Sequence, residues 1–157
     1  MNYNDTVLIL YLDGTLLSLD DDRNSFITKR NLKALDDYVK AGGTLGVATG
    51  RSYERTVDLV KDLPLNFPLS LVNGAMSVDE RDFKTRMRHI PLNKNLSDKL
   101  VDFFKANQDS AMVFVNQDRV YGVDGSIKAI SHFGYEWETV DVEGMPEGDI
   151  YKIGFMI

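Results

Sequence analysis

Cysteine is absent from these 157 residues. Disulfides, thiol catalysis and cysteine-ligated zinc are thereby excluded, and the chain suits a reducing compartment. Histidine occurs only as His89 and His132. Neither has a partner at metal-ligand spacing, so each reads as a packing or surface residue. No apolar run approaches the roughly 18 residues that a membrane span requires. Residues 1–5 carry no basic side chain, and Asp13 interrupts the apolar stretch that follows, so no signal peptide is expected and cytoplasm is the expected location. Basic residues are in deficit, 18 against 24 acidic, for a formal net charge of −6. Such a surface repels nucleic-acid phosphates and anionic lipid, and neither is an expected partner. Internal repeats and low-complexity tracts are also missing.

What is present is a rhythm of short apolar runs and amphipathic stretches. Thr6 to Leu12 is a continuous apolar run that stops at Asp13-Gly14-Thr15, the pattern of a strand buried on both faces. Asp20, Asp21 and Asp22 read as a solvated loop. Thr28 is placed to cap a helix over residues 29–40, whose Leu32, Leu35 and Val39 fall on one face, and Gly42-Gly43 stops it. Thr44 to Ala48 reads as a second buried strand ending at Thr49-Gly50-Arg51. A second helix is expected from Ser52 through Val57 and Val60 to Leu63, and a third strand over residues 69–72, ending at Asn73-Gly74. Buried strands alternating with helices through short connections imply a Rossmann-like parallel α/β sheet.

The rhythm then changes. Residues 75–78 and 86–90 read as a hairpin, and Pro91 and Asn93 suggest a boundary. Beyond it a helix over 97–107, strands over 112–115 and 120–123, a helical stretch over 126–133 and a final strand over 151–157 give an α+β pattern. The expected organisation is a core segment over 1–90 and a partial cap over 91–157. The end at Phe155-Met156-Ile157, inside strand-like sequence, reads as a chain cut short; a terminal strand docked in a sheet is the alternative.

In open parallel sheets, ligands sit beyond the carboxyl ends of the strands. Three polar turns fall there: Asp13-Gly14-Thr15, Thr49-Gly50-Arg51 and Asn73-Gly74. Backbone N–H groups, a Thr hydroxyl and a guanidinium make a phosphate cradle, with Asp13 as the titratable group for acid/base work. Alone, an Asp-Gly-Thr turn is an Asp side chain bonding its own backbone. Three such turns, each after a buried strand with a helix between, carry more.

Leu10-Tyr11-Leu12-Asp13-Gly14-Thr15-Leu16-Leu17 resembles the first motif of haloacid dehalogenase-like (HAD) hydrolases, Asp-x-Asp-Gly-Thr-Leu-Leu. Val47-Ala48-Thr49-Gly50-Arg51 is similar to the second motif of the Cof-type sugar-phosphate phosphatases, and Leu71-Val72-Asn73-Gly74-Ala75 to their third strand end. That branch inserts an α+β cap at this point. The resemblance implies magnesium-dependent hydrolysis of small phosphate monoesters such as sugar phosphates, through an aspartyl-phosphate. It implies that Asp13 is the general acid/base and contributes to a metal site, incomplete here. It implies that Thr49 binds the transferring phosphoryl group, with Gly14, Gly50, Arg51, Asn73 and Gly74 around the substrate.

Two departures set this chain apart. Tyr11 stands where the family has its nucleophilic Asp. A phenol, with pKa about 10, is neutral at pH 7 and offers magnesium no carboxylate. Tyrosine does act as a nucleophile elsewhere, given a base or metal to activate it. Second, the family's lysine and acidic pair follow the cap, and no such arrangement appears here. Asp141, Glu143, Glu147 and Asp149 lie in a Gly/Pro-containing stretch that reads as loop, and Phe133, Tyr135 and Trp137 read as core. The expectation is a phosphohydrolase segment with little or no activity of its own, in which magnesium binding is doubtful. Its alternatives are a module binding a phosphorylated metabolite or a protein, or a gene remnant. Self-association through unpaired sheet edges is expected if those edges stay bare.

Overall fold

The computed structural model describes residues 2–107, 111–116, 119–123, 138–142 and 148–156. The chain divides into two compact units, Met1–His89 and Ile90–Ile157.

The first unit is built on a five-stranded sheet. Its strands are β1 (Val7–Tyr11), β4 (Thr44–Ala48), β5 (Leu69–Leu71), β6 (Met76–Val78) and β7 (Arg86–His89), in that spatial order. β1 and β4 run parallel in a five-residue register from Val7↔Thr44 to Tyr11↔Ala48, and β4 and β5 are also parallel. β5–β6 and β6–β7 are antiparallel, so the expected hairpin is present. Between β1 and β4 come a two-stranded hairpin, β2 (Leu17–Leu19) with β3 (Ser25–Ile27), and helix α1 (Lys29–Lys40). Leu12, Leu16, Leu45, Val47, Val60, Leu69, Leu71, Met76 and Val78 fill the core.

α1 forms where its sequence says it should. Thr28 Oγ1 accepts a hydrogen bond from Asn31 N (3.2 Å), satisfying one of the N–H groups that a helix start leaves open. Leu35 is its buried apolar residue. Gly42, at φ 95°, turns the chain out of the helix in a conformation that costs a side chain-bearing residue energy. β4 and β5 pair only at Ala48↔Ser70. Lower down, Asn66 takes the place of a strand: its Oδ1 accepts from Leu45 N (2.6 Å) and its Nδ2 donates to Gly43 O (3.1 Å). That satisfies backbone groups in β4 and just before it that would otherwise be unpaired.

Two expectations need correction. β1 is not buried on both faces: Val7, Ile9 and Tyr11, which alternate onto one face of the strand, are 58%, 45% and 55% exposed, because among the described residues that face is left open. The second helix is a single turn, α2 (Val57–Val60), and Ser52 to Thr56 precede it as turns. Side chain-to-backbone bonds outcompete helix there, as Thr56 Oγ1 donates to Ser52 O (2.8 Å) in a buried setting.

The second unit carries α3 (Lys94–Ala106) and a four-stranded sheet of β10 (Glu138–Val140), β9 (Arg119–Val123), β8 (Ala111–Asn116) and β11 (Ile150–Met156), in that order. α3 begins three residues earlier than expected because Asn93 caps it, accepting from Asn95 N (2.9 Å). Phe104, Met112, Phe114 and Val123 form the core, and Phe114 stacks on Tyr121 at 5.2 Å. β11 docks antiparallel on β8. The expected helix over 126–133, Phe133, Tyr135 and Trp137, His132, Glu143 and Glu147 lie outside the described residues.

Candidate functional site

β1, β4 and β5 are parallel neighbours, so their carboxyl ends point the same way. That alone brings the three polar turns together. After β1 the chain makes a tight loop, Leu12–Leu16, closed by Leu17 N donating to Leu12 O. Asp13 is extended (φ −66°, ψ 130°) and Gly14 left-handed (φ 70°), so the loop reverses while Leu12 and Leu16 stay buried and Asp13 stays exposed.

After β4, Thr49 is almost fully buried. Its N–H donates to Ser70 O (2.9 Å) and its carbonyl accepts from Asn73 N (3.0 Å). Its Oγ1 accepts from Arg51 N (3.2 Å). Val72 N donates to Arg51 O (3.0 Å). The turns after β4 and β5 are thus stitched by two backbone hydrogen bonds.

The turn after β5 is under strain. Val72, Asn73 and Gly74 all have positive φ, at 51°, 57° and 92°. Asn and Gly tolerate that region; a β-branched residue does not, and Val72 is nonetheless buried there. The strain presents exposed Asn73 and Gly74 beside the Thr49 turn.

Arg51 reaches across to the first turn. Its Nε lies 3.1 and 3.0 Å from the two Asp13 carboxylate oxygens, and its Nη2 lies 2.5 Å from Oδ1. This is a forked, charge-assisted pair. The hydrogen bond from Arg51 holds the Asp13 carboxyl below its ordinary range, partial burial opposes it, and the guanidinium charge adds to the lowering. Arg51 also approaches Ser25 Oγ and Arg55 O, each at 3.4 Å.

The structure therefore gathers Asp13, Thr49, Arg51 and Asn73 on touching turns, with Gly14, Gly50 and Gly74 within them. Tyr11 is opposite Ala48 at the end of the β1–β4 register and more than half exposed. Sequence reading missed the Asp13–Arg51 pair, the approach of Ser25 and the strain at Val72. The first had a signal, opposite charges on two neighbouring turns. The others had none in one sequence: β2 and β3 are too short to show a period, and Val72 looks like any strand residue.

Among the described residues, no group of three or more His, Asp or Glu side chains is placed to hold a metal ion. No helix of the described residues is long and apolar enough to cross a membrane.

A family model described as haloacid dehalogenase-like hydrolase matches residues 8–155. Solved structures share the fold. One, the HAD-superfamily phosphatase BT1666 from Bacteroides thetaiotaomicron, is 22% identical with a TM-score of 0.72, over 89% of this chain and 51% of that one. The HAD subclass IIB sugar phosphatase BT4131 is 17% identical, TM-score 0.75, over 94% and 57%. A third, described for a trigonal-bipyramidal intermediate in a phosphoryl-transfer superfamily, is 16% identical, TM-score 0.75, over 98% and 57%. The chain spans about half the length of these structures. No curated protein sequence matches it. With its parallel strand tips, its Asp-Gly-Thr and Thr-Gly-Arg turns and a family match along most of its length, this chain belongs to the haloacid dehalogenase-like hydrolases.

Proposed function

We propose that this chain is a Cof-type phosphohydrolase segment that recognises small phosphate monoesters, sugar phosphates among them, and turns them over poorly or not at all. Residues 1–90 are the core and 91–157 the partial cap. One observation carries this reading: the side chain at the end of β1, opposite Ala48, is an exposed phenol, while Thr49 and Arg51 beside it keep phosphate-binding chemistry. Thr49 offers a hydroxyl proton and Arg51 a guanidinium to phosphate oxygens.

The same turns explain poor turnover. Asp13 is held as a carboxylate by Arg51, whereas a general acid must carry its proton to the leaving group. A phosphate that engages Arg51 competes with Asp13 for it. The family generally uses Mg²⁺, a small hard cation that favours charged oxygens in octahedral array. Among the described residues the donors at these turns are one carboxylate already engaged by a guanidinium and a phenol, and they do not fit that ion.

The test is a phosphatase assay with hexose phosphates and Mg²⁺ on the unmodified chain and on Tyr11→Asp, alongside calorimetric titration with inorganic phosphate. The expected result is weak phosphate binding by both and no magnesium-dependent turnover by either. Robust turnover by the unmodified chain overturns the proposal.

A further inference from the structure

Two kinds of surface meet at the strand tips. One is charged: Arg51, forked onto Asp13, with Thr49 two residues before it. The other is apolar. Tyr11 is the register partner of Ala48, so the two share a face of the sheet, and the phenol is more than half exposed there. Ile9 continues that face down β1. Ile9 and Phe67, itself 44% exposed, both crowd the same spot above Gly46, so the apolar surface extends across β4. The turns above are open to an incoming group: among the described residues, a Cβ added at Gly14 or Gly74 would meet no atom within 4 Å. Tyr11 stands two residues before Asp13, at most about 7 Å along the chain. Asp13 in turn touches Arg51. An alcohol esterified to a phosphate on Arg51 therefore has the phenol ring within reach.

We propose that the Tyr11 ring is a stacking platform for the alcohol part of the ligand. The site then prefers phosphate monoesters that carry a flat aromatic ring, a nucleoside monophosphate or an aryl phosphate, over sugar phosphates. This inference rests on the phosphate-recognition reading and narrows it. A hexose brings hydroxyls that need hydrogen-bond partners once they leave water. The side chains that share the face beside Tyr11, Ile9 and Ala48, supply none. A flat ring bears no such cost. It covers the phenol and gains the stacking that an aromatic side chain gives a base, which does not depend on reading particular hydroxyls. The preference of aromatic residues for strands explains a ring in β1, but not its place at the carboxyl tip beside the anion-binding turns.

The experiment titrates the chain calorimetrically with inorganic phosphate, glucose 6-phosphate, phenyl phosphate and adenosine 5′-monophosphate, and repeats the series on Tyr11→Phe and Tyr11→Leu. The expected result is that at least one aromatic ester binds at least about fivefold more tightly than glucose 6-phosphate. Tyr11→Phe keeps that ratio, whereas Tyr11→Leu, with apolar bulk but no ring, brings it close to one. A preference for phenyl phosphate sets the stacked ring directly on the ester oxygen, and a preference for the nucleotide sets it one ribose away; either supports the proposal. Inorganic phosphate bound without any preference for an aromatic ester overturns this inference and leaves phosphate recognition standing. A preference that Tyr11→Leu retains overturns it as well, and so does one lost in both variants, which assigns the effect to the hydroxyl. Failure of inorganic phosphate and of every ester to bind removes phosphate recognition, and this inference with it.

Discussion

Asp13 and Arg51 decide the electrostatics of the strand tips. Because Arg51 lowers the folded-state pKa of Asp13 below its ordinary 3.8, the pair contributes stability above that value, and loses it as pH falls through the lowered pKa. Asp13 is half exposed, so the contribution at neutral pH is at most about 1 kcal/mol. In Arg51→Ala, the Asp13 carboxyl carbon followed by NMR is expected to titrate closer to 3.8, and the acid-side loss of stability to shrink. An unchanged titration would mean that the pair does not form in solution. Val72 is subject to a second, opposed pair of effects. Removing its buried side chain costs about 1.5–3 kcal/mol, but its left-handed backbone is strained by about 1–2 kcal/mol, which only glycine escapes. Val72→Gly is therefore expected to be more stable than Val72→Ala in urea unfolding, the reverse of the usual order; Ala ahead of Gly would refute the strain. The residues of these turns were legible in the sequence, because Gly beside Asp, Thr or Asn after an apolar run has few other uses. Their contacts were not, since pairing and φ are set by three dimensions.

At the scale of elements, legibility followed length and caps. α1 was readable because a cap, a 3.6-residue apolar period and a Gly-Gly stop all agree over 12 residues. Thr28→Ala is expected to cost about 1 kcal/mol, with Thr28→Ser keeping most of it, measured as faster amide exchange in α1. An alanine variant with unchanged exchange would show the cap to be dispensable. α2 was over-read because Val57 and Val60 fit a helical period, while the bond from Thr56 Oγ1 to Ser52 O holds the preceding residues in turns. β2 and β3 were missed because three-residue strands carry too little pattern against the acidic turn between them. β1 was misjudged for a different reason. An apolar run does not record whether a strand lies inside a sheet or at its end, and β1 ends the sheet order with Val7, Ile9 and Tyr11 about half exposed.

Across the whole molecule, the chain divides into two compact units, Met1–His89 and Ile90–Ile157. Each unit has a core of its own, which a single interior substitution can test. Phe114 is fully buried among Phe104, Met112 and Val123 and stacks on Tyr121. Truncation to alanine removes a large ring from a packed interior and leaves a cavity, a loss of about 3–5 kcal/mol. In a 68-residue unit, that approaches the whole of the stability such a small core provides. Phe114→Ala is expected to bring the amides of β8, β9 and β11 to near-unprotected exchange. The amides of β4, whose Leu45 and Val47 belong with Leu69 to the other core, should keep most of their protection. Equal loss in both sheets would mean that the chain unfolds as one cooperative body, and the division into two units would lose its energetic meaning.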